Sequence, residues 1–161
     1  MPHTTFTSLS TSEQTLLLRA EDVMRFAYSP YSNFCVGAAL EAMDGSIHVG
    51  TNIENATYGG TVHAEMAALA AANNIGVRHF KTVAAIGCPR GSLSREPVMP
   101  CGICRQILYE FAQLSSGDMI VIGSSTDKTS IIRTSLSELF PHAFGPKDVG
   151  VDLGRYVKKL E

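Results

Sequence analysis

The segment Phe34-Cys35-Val36-Gly37-Ala38-Ala39-Leu40 is followed, after Met43-Asp44-Gly45-Ser46, by a second apolar segment, Ile47-His48-Val49-Gly50. An Asp-Gly pair between two apolar segments is a strong turn signal, so these residues predict a β-hairpin. The segment Val62 to Asn73 is rich in Ala and contains neither Gly nor Pro. It predicts a buried helix soon after the hairpin.

Further helices and strands are predicted on both sides of this unit. Ser10-Thr11-Ser12-Glu13 has the form of a capping box and opens a helix that we expect to end near Tyr28. Beyond residue 80 we predict strands at 82–87, 119–122 and 130–133, a loop from Cys88 to Pro100, a helix from Cys101 to about Leu114, and a short helix opened by Ser135-x-x-Glu138. The order αββαβαββα favours a mixed α/β sheet covered by helices on both faces.

Composition limits the class of protein. The chain has 161 residues, 45% hydrophobic and 17% charged, which predicts a single domain over 1–161 and excludes a disordered chain. We expect residues 1–10 to form a flexible tail. The net charge of −2 and the lack of a basic stripe argue against nucleic acid as a partner. No secretory signal or membrane-length apolar segment is visible, which favours a cytoplasmic protein without membrane contact.

Two cysteines form a C-x-x-C pair, Cys101-Gly102-Ile103-Cys104. At the start of a helix, thiols three residues apart share one face, and the positive end of the helix dipole favours the thiolate form that binds zinc. The pair alone is equally compatible with a redox centre, half of a structural zinc site or two core cysteines.

A second pattern, His63-Ala64-Glu65, opens the other predicted helix. Residues two apart point to opposite sides of a helix, so His63 and Glu65 can serve one site only if it lies beyond the helix end. Taken alone, Glu65 could simply complement the helix dipole. Together, H-x-E followed by P-C-x-x-C from Pro100 to Cys104 matches the signature of zinc-dependent nucleobase deaminases. One imidazole and two thiolates leave a fourth zinc position for water, so Glu65 is better suited to acid/base chemistry than to coordination.

The similarity extends beyond these residues, over roughly residues 13–148. The matching blocks are Tyr-Ser-Pro-Tyr-Ser-Asn-Phe (28–34), Val-Gly-Ala-Ala-Leu (36–40), Asn-Ile-Glu-Asn-Ala-Thr-Tyr (52–58), Pro-Cys-Gly-Ile-Cys-Arg-Gln (100–106) and Ala-Phe-Gly-Pro (143–146). In these blocks and their order the chain closely resembles the cytidine deaminase family. The resemblance implies a three-layer α-β-α sandwich with a mixed five-stranded sheet. It also implies hydrolysis of cytidine and deoxycytidine to uridine and deoxyuridine with release of ammonia, and a homotetramer.

The resemblance also implies roles for individual residues. His63, Cys101 and Cys104 would hold one zinc ion per chain, and Glu65 would move protons between the water, ring atom N3 and the leaving amine. The residues implied to bind the nucleoside are Asn52 and Glu54 at the ribose 3′-hydroxyl, Phe34 against the nucleoside, the Ala64 N–H at the pyrimidine O2, Tyr58, and Phe144 in a site completed across subunits. Short members of the family usually carry Cys at the position of His63 and Arg at that of Met66, so the chain departs from the pattern at both.

Three alternatives remain at this point. The same scaffold deaminates other amino-pyrimidine compounds, including blasticidin S, although Asn52 and Glu54 favour a substrate that carries ribose. A non-catalytic zinc module would need a fourth ligand such as Cys35 or Cys88 and would leave Glu65 without a role. A polynucleotide editor is disfavoured because the chain has no basic stripe and no Trp.

Overall fold

A computed structural model describes residues 3–115 and 117–157. The helices and strands are, in chain order, β1 (His3–Thr4), α1 (Thr11–Met24), β2 (Phe34–Ala42), β3 (Ile47–Thr51), α2 (Ala64–Asn73), β4 (Phe80–Pro89), α3 (Gly102–Ala112), β5 (Ile120–Ser124), β6 (Ile131–Ser135), α4 (Leu136–Leu139) and α5 (Gly154–Val157). Within these described ranges, no helix is long and apolar enough to cross a membrane.

The strands form one mixed sheet in the order β1-β6-β5-β4-β2-β3. The neighbours β4 and β5 are parallel, and the other pairs are antiparallel. The predicted hairpin is confirmed: β2 and β3 pair in register from Gly37↔Thr51 to Glu41↔Ile47, and Gly45 takes a φ of 86° in the turn. A left-handed φ of this kind is the reason for Gly in such a turn.

Side chains alternate between the two faces of the sheet, and a helical layer covers each face. On one face, Leu16 and Leu17 of α1 pack in a buried cluster with Ala39, Ala84 and Ile122. The next residues along these strands face the other way, because successive strand side chains point to opposite faces.

On that second face the helices are α2 and α3. Leu40, Val83 and Val121 pack there in a cluster with Leu69 of α2 and Leu108 of α3. The three-layer α-β-α architecture is therefore confirmed, with six strands instead of the expected five.

The sixth strand comes from the N-terminus. A flexible tail was predicted over residues 1–10, but His3–Thr4 pair with β6, and Leu9 is buried against α1. Residues 1 and 2 lie outside the described residues. The sequence of this segment did not predict the strand, because the pairing depends on the edge of β6, which is distant in the chain.

Two element boundaries also differ from prediction, both for tertiary reasons. Helix α1 ends at Met24 instead of near Tyr28, because the Tyr28 N–H donates to the Asn52 carbonyl in an isolated bridge beside Ile53. Strand β4 continues to Pro89, beyond the predicted start of the loop at Cys88, because the first residues of β2 pair with its end.

Candidate active site

The N-termini of α2 and α3 meet on one face of the sheet. His63 is the N-cap residue of α2, and Cys101 is the N-cap residue of α3. The Nδ1 atom of His63 lies 3.3 Å from the Sγ of Cys101 and 3.3 Å from the Sγ of Cys104. Three donor atoms from two distant stretches of sequence thus face one point beyond the helix ends.

Glu65 lies beside this cluster, in the first turn of α2, and is only 4% exposed. Its Oε2 lies 3.2 Å from the Cys104 Sγ, which donates to it. His63 and Glu65 therefore share one site although they are two residues apart, because His63 precedes the first helical residue.

The electrostatic environment of Cys104 differs from the expectation based on the helix dipole alone. Burial is the main factor that raises the pKa of the Cys104 thiol, and the neighbouring Glu65 carboxylate raises it further. Both effects disfavour the thiolate form of Cys104 in the absence of a metal ion. A divalent ion against the sulfur supplies the charge that the thiolate needs.

The donor set fits zinc. His63, Cys101 and Cys104 each offer one ligand atom, and the three atoms lie within 4.8 Å of one another. Ligand atoms on a tetrahedral zinc ion with bonds of about 2.0–2.3 Å are roughly 3.5–3.8 Å apart, close to the separations found here. One nitrogen and two sulfurs leave the fourth position open, as in catalytic zinc sites.

The other two cysteines do not extend this set. Among the described residues, the groups placed to hold a metal ion are His63, Cys101 and Cys104. Cys35 and Cys88 are buried opposite each other on β2 and β4. The structure therefore gives no support to a closed structural zinc site with Cys35 or Cys88 as the fourth ligand.

A glycine fixes the distance between the sheet and the start of α2. A Cβ atom added to Gly50 would lie 2.3 Å from the Ala68 nitrogen and 2.5 Å from the Ala64 oxygen. Both are backbone atoms of α2, so β3 packs directly against the helix backbone. This contact places the first turn of α2, and with it Ala64 and Glu65.

A second polar group, Glu54, lies on an open cleft of about 300 Å³ lined by Tyr31, Ser32, Glu54, Asn55, Tyr58 and Thr61. Its carboxylate accepts hydrogen bonds from the Tyr31 N–H at 2.8 Å, from the Ser32 N–H at 3.2 Å and from the Ser32 hydroxyl. The Ser32 hydroxyl bond is the main cause that lowers the pKa of Glu54. Glu54 is thus held as an oriented anion at the surface of the cleft.

Asn52, just after β3, is linked by its side chain to Phe34, the first residue of β2. The Asn52 side chain accepts from the Val36 N–H at 2.9 Å and donates to the Phe34 carbonyl at 2.9 Å. This amide therefore orders the start of β2, where Phe34 is half-buried. Ile53, between Asn52 and Glu54, bridges to Val62 next to His63, so this segment runs beside the metal ligands.

Tyr58 and Phe144 project from the surface of the chain. Tyr58 is 76% exposed and its ring lies edge-on to that of Tyr31, with centroids 6.0 Å apart. Phe144 is 62% exposed, and its carbonyl accepts a hydrogen bond from Gln106 of α3. The structure does not bring these two rings into the metal cluster.

Sequence reasoning assigned no role to three residues that shape these sites: Ser32, Arg105 and Gln106. Arg105 donates to the carbonyls of Pro100 and Leu139, and so holds the residue before Cys101. Each of the three makes a hydrogen bond to a residue more than 20 positions away: Ser32 to Glu54, Arg105 to Leu139 and Gln106 to Phe144. They lie in the blocks that carried the family resemblance, which was the only signal available for them.

Comparisons with known proteins agree with this geometry. A family model for the cytidine and deoxycytidylate deaminase zinc-binding region matches residues 10–116. The chain is 41% identical over 134 residues to a cytidine deaminase of Sporosarcina psychrophila, covering 83% of this chain and 92% of that protein. It is 38% identical over 136 residues to a cytidine deaminase of Halalkalibacterium halodurans, covering 84% and 96% respectively.

Solved structures show the same likeness. The crystal structure of cytidine deaminase from Burkholderia pseudomallei superposes with a TM-score of 0.72 at 36% identity, covering 84% of this chain and all of that one. The enzyme from Mycobacterium tuberculosis superposes with a TM-score of 0.66 at 32% identity, covering 84% of this chain and 99% of that one.

Proposed function

Because the chain belongs to the cytidine and deoxycytidylate deaminase family, we propose that it hydrolyses cytidine and deoxycytidine to uridine and deoxyuridine, with release of ammonia. The observation that carries the proposal is the meeting of His63, Cys101 and Cys104 beside the buried carboxylate of Glu65. The three ligands would hold one zinc ion per chain. When bound, zinc lowers the pKa of a coordinated water toward neutrality and so supplies the nucleophile.

Glu65 is proposed as the group that moves protons. It would take one proton from the attacking water and deliver it to N3 of the ring, then take the second proton from the hydroxyl that this water leaves on the ring carbon and deliver it to the amine, which leaves as ammonia. Its burial favours this role, because a site closed to bulk water limits proton exchange with the solvent. Its separation of 3.2 Å from the Cys104 sulfur keeps it next to the ligand set without joining it.

The nucleoside is proposed to lie between the α2 N-terminus and the Glu54 cleft. The Ala64 N–H belongs to the unpaired first turn of α2 and can donate to the pyrimidine O2. Phe34 packs against the nucleoside, and Asn52 and Glu54 take the ribose 3′-hydroxyl. Two observations support the last role: Glu54 is oriented by Ser32, and it lies at the surface of an open cleft.

The proposal includes a homotetramer in which Tyr58 and Phe144 contribute to sites completed across subunits. Its support is that both aromatic side chains are mostly exposed in the isolated chain. It also includes a cytoplasmic role in pyrimidine salvage, since all four cysteines are free and the cytoplasm keeps thiols reduced.

The test is a change in ultraviolet absorbance. Purified protein loaded with zinc should convert the spectrum of cytidine to that of uridine, and chelator-treated protein should not. Absence of turnover by protein that carries one zinc per chain would refute the proposed activity.

A pair of variants tests the assignment of Glu65. Glu65→Ala should still bind about one zinc per chain but lose roughly 10²–10⁴-fold or more in kcat, because its ligands remain and its proton carrier is gone. Glu110→Ala, at an exposed glutamate on α3, is the matched control and should behave like the parent. If Glu65→Ala lost its zinc and regained activity when zinc was added, Glu65 would be a metal-site residue and not the proton carrier.

A further inference from the structure

The segment that carries Phe144, residues 140–148, contacts α3 at two points, and Leu139, directly before it, contacts α3 at a third. The Arg105 guanidinium donates to the Leu139 carbonyl at 3.0 Å, ahead of the segment. The Gln106 side-chain amide donates to the Phe144 carbonyl at 2.9 Å. A Cβ added to Gly145 would lie 2.5 Å from the Tyr109 ring, so the backbone packs directly on that ring.

Phe144 itself combines a held backbone with an open side chain. Its carbonyl and the next residue are fixed to α3, yet 62% of the residue is exposed. An exposed phenyl ring on a fixed backbone presents apolar surface in a defined direction, at little further cost in conformational entropy when it binds.

We propose that Gln106 is a positioning residue for Phe144: its side-chain amide holds the Phe144 carbonyl and so fixes the direction in which the ring leaves the subunit. The inference rests on the proposed function, in which this ring contacts a nucleoside bound at a neighbouring subunit. Gln106 touches no substrate and acts only through Phe144.

Helix α3 thereby becomes a common support for two sites. Its first turn carries Cys104 and follows Cys101, whereas Gln106 faces the 140–148 segment. The Arg105 bond to the Pro100 carbonyl, at 2.8 Å, fixes this same end of the helix. One rigid helix therefore sets both the metal ligands of its own subunit and the ring that the subunit offers to another.

Substitution of the amide tests this inference. Gln106→Met keeps the length and removes the donor, and should lower kcat/KM for cytidine roughly 2- to 10-fold, mainly through a higher KM, with zinc content unchanged. Gln106→Glu should lower it further at neutral pH, because a carboxylate oxygen then faces the Phe144 carbonyl. Gln14→Met is the matched control, since Gln14 makes the same bond to the Leu9 carbonyl at 2.9 Å on the distant helix α1, and it should leave kcat/KM unchanged.

A double-mutant cycle separates positioning from general destabilisation. In a Phe144→Ala background, Gln106→Met should have no further effect on kcat/KM, because the ring it positions is gone. An equal fold-loss in both backgrounds, or a loss of zinc in Gln106→Met, would overturn the proposal. An active Phe144→Ala enzyme with the parent's KM would overturn it too, while leaving the deaminase activity intact.

Hydrogen exchange gives a readout that needs no turnover. Peptides covering 140–148 should exchange faster in Gln106→Met than in the parent and in Gln14→Met, while peptides from α2 should not change. Unchanged exchange over 140–148 would refute the positioning role even if the parent proved inactive on cytidine.

Discussion

Gly50 is the position where one added methyl group should disturb the active site most directly. In Gly50→Ala the new Cβ would start 2.3 Å from the Ala68 nitrogen, 2.5 Å from the Ala64 oxygen and 2.8 Å from the Ala67 carbonyl carbon. Ordinary contacts begin at 3.4 Å, so strand and helix must separate by about 1.1 Å. No side-chain rotation can relieve the contact, because all three atoms belong to the backbone.

Two consequences follow from this displacement. Overpacking of this kind costs roughly 1–3 kcal/mol of unfolding free energy, or more when backbone must move. The displaced turn carries Ala64 and Glu65, next to His63, and a shift of about 1 Å at catalytic groups can cost on the order of 10²-fold in rate. Gly50→Ala should therefore lose both stability and kcat, and bind zinc more weakly.

The assay compares Gly50→Ala with two other glycine variants, by thermal unfolding, zinc content and kcat at a temperature where every variant is folded. Gly37→Ala creates a similar clash, 2.0 Å from the Ala20 oxygen, but against α1 on the opposite face of the sheet. It should lose stability with less effect on zinc binding. Gly59→Ala meets no atom within 4 Å and should resemble the parent.

The reasoning is refuted if Gly50→Ala keeps the parent's Tm and zinc affinity. It also fails if Gly37→Ala and Gly50→Ala, compared at equal loss of stability, lose zinc affinity and kcat to the same extent. In that case the effect would come from global destabilisation and not from displacement of α2.

Three further predictions concern substrate, assembly and pH. Cytidine should be a better substrate than its 5′-monophosphate by at least about tenfold in kcat/KM, because the Glu54 carboxylate and the net negative charge disfavour a phosphate; comparable values would contradict the placement of Glu54 at the ribose. Mixing inactive Glu65→Ala chains with inactive Phe144→Ala chains should restore some activity if the ring acts across subunits, and no gain despite proven subunit exchange would favour a Phe144 that only anchors the C-terminal turn. Burial raises the pKa of Glu13, but hydrogen bonds from Ser10 and Arg133 outweigh it and hold the pKa below its usual range. Glu13→Gln should therefore cost about 1–2 kcal/mol of unfolding free energy at pH 7, and the difference from the parent should shrink as pH falls through the acid range, which urea unfolding at several pH values would show.

The local parts of the fold could be read from the sequence. The Asp44-Gly45 turn, the Ala-rich helix and the capping boxes at Ser10 and Ser135 are all confirmed. Each depends on residues within a few positions of one another, so the signal is contained in a short window. The ends of α1 and β4 were misplaced because their partners lie elsewhere in the chain.

The two halves of the zinc signature were also visible in the sequence, as His63-Ala64-Glu65 and the Cys101 pair, because coordination chemistry restricts the residue types and their spacing. These two helix ends come together only in the folded sheet, where α2 and α3 pack on the same face. Only the tertiary structure buries Cys104 beside Glu65, and both effects raise the pKa of its thiol. The physical reason is that thiol pKa and helix spacing depend on atoms brought together by the sheet, whereas helix caps and turns depend on sequence neighbours.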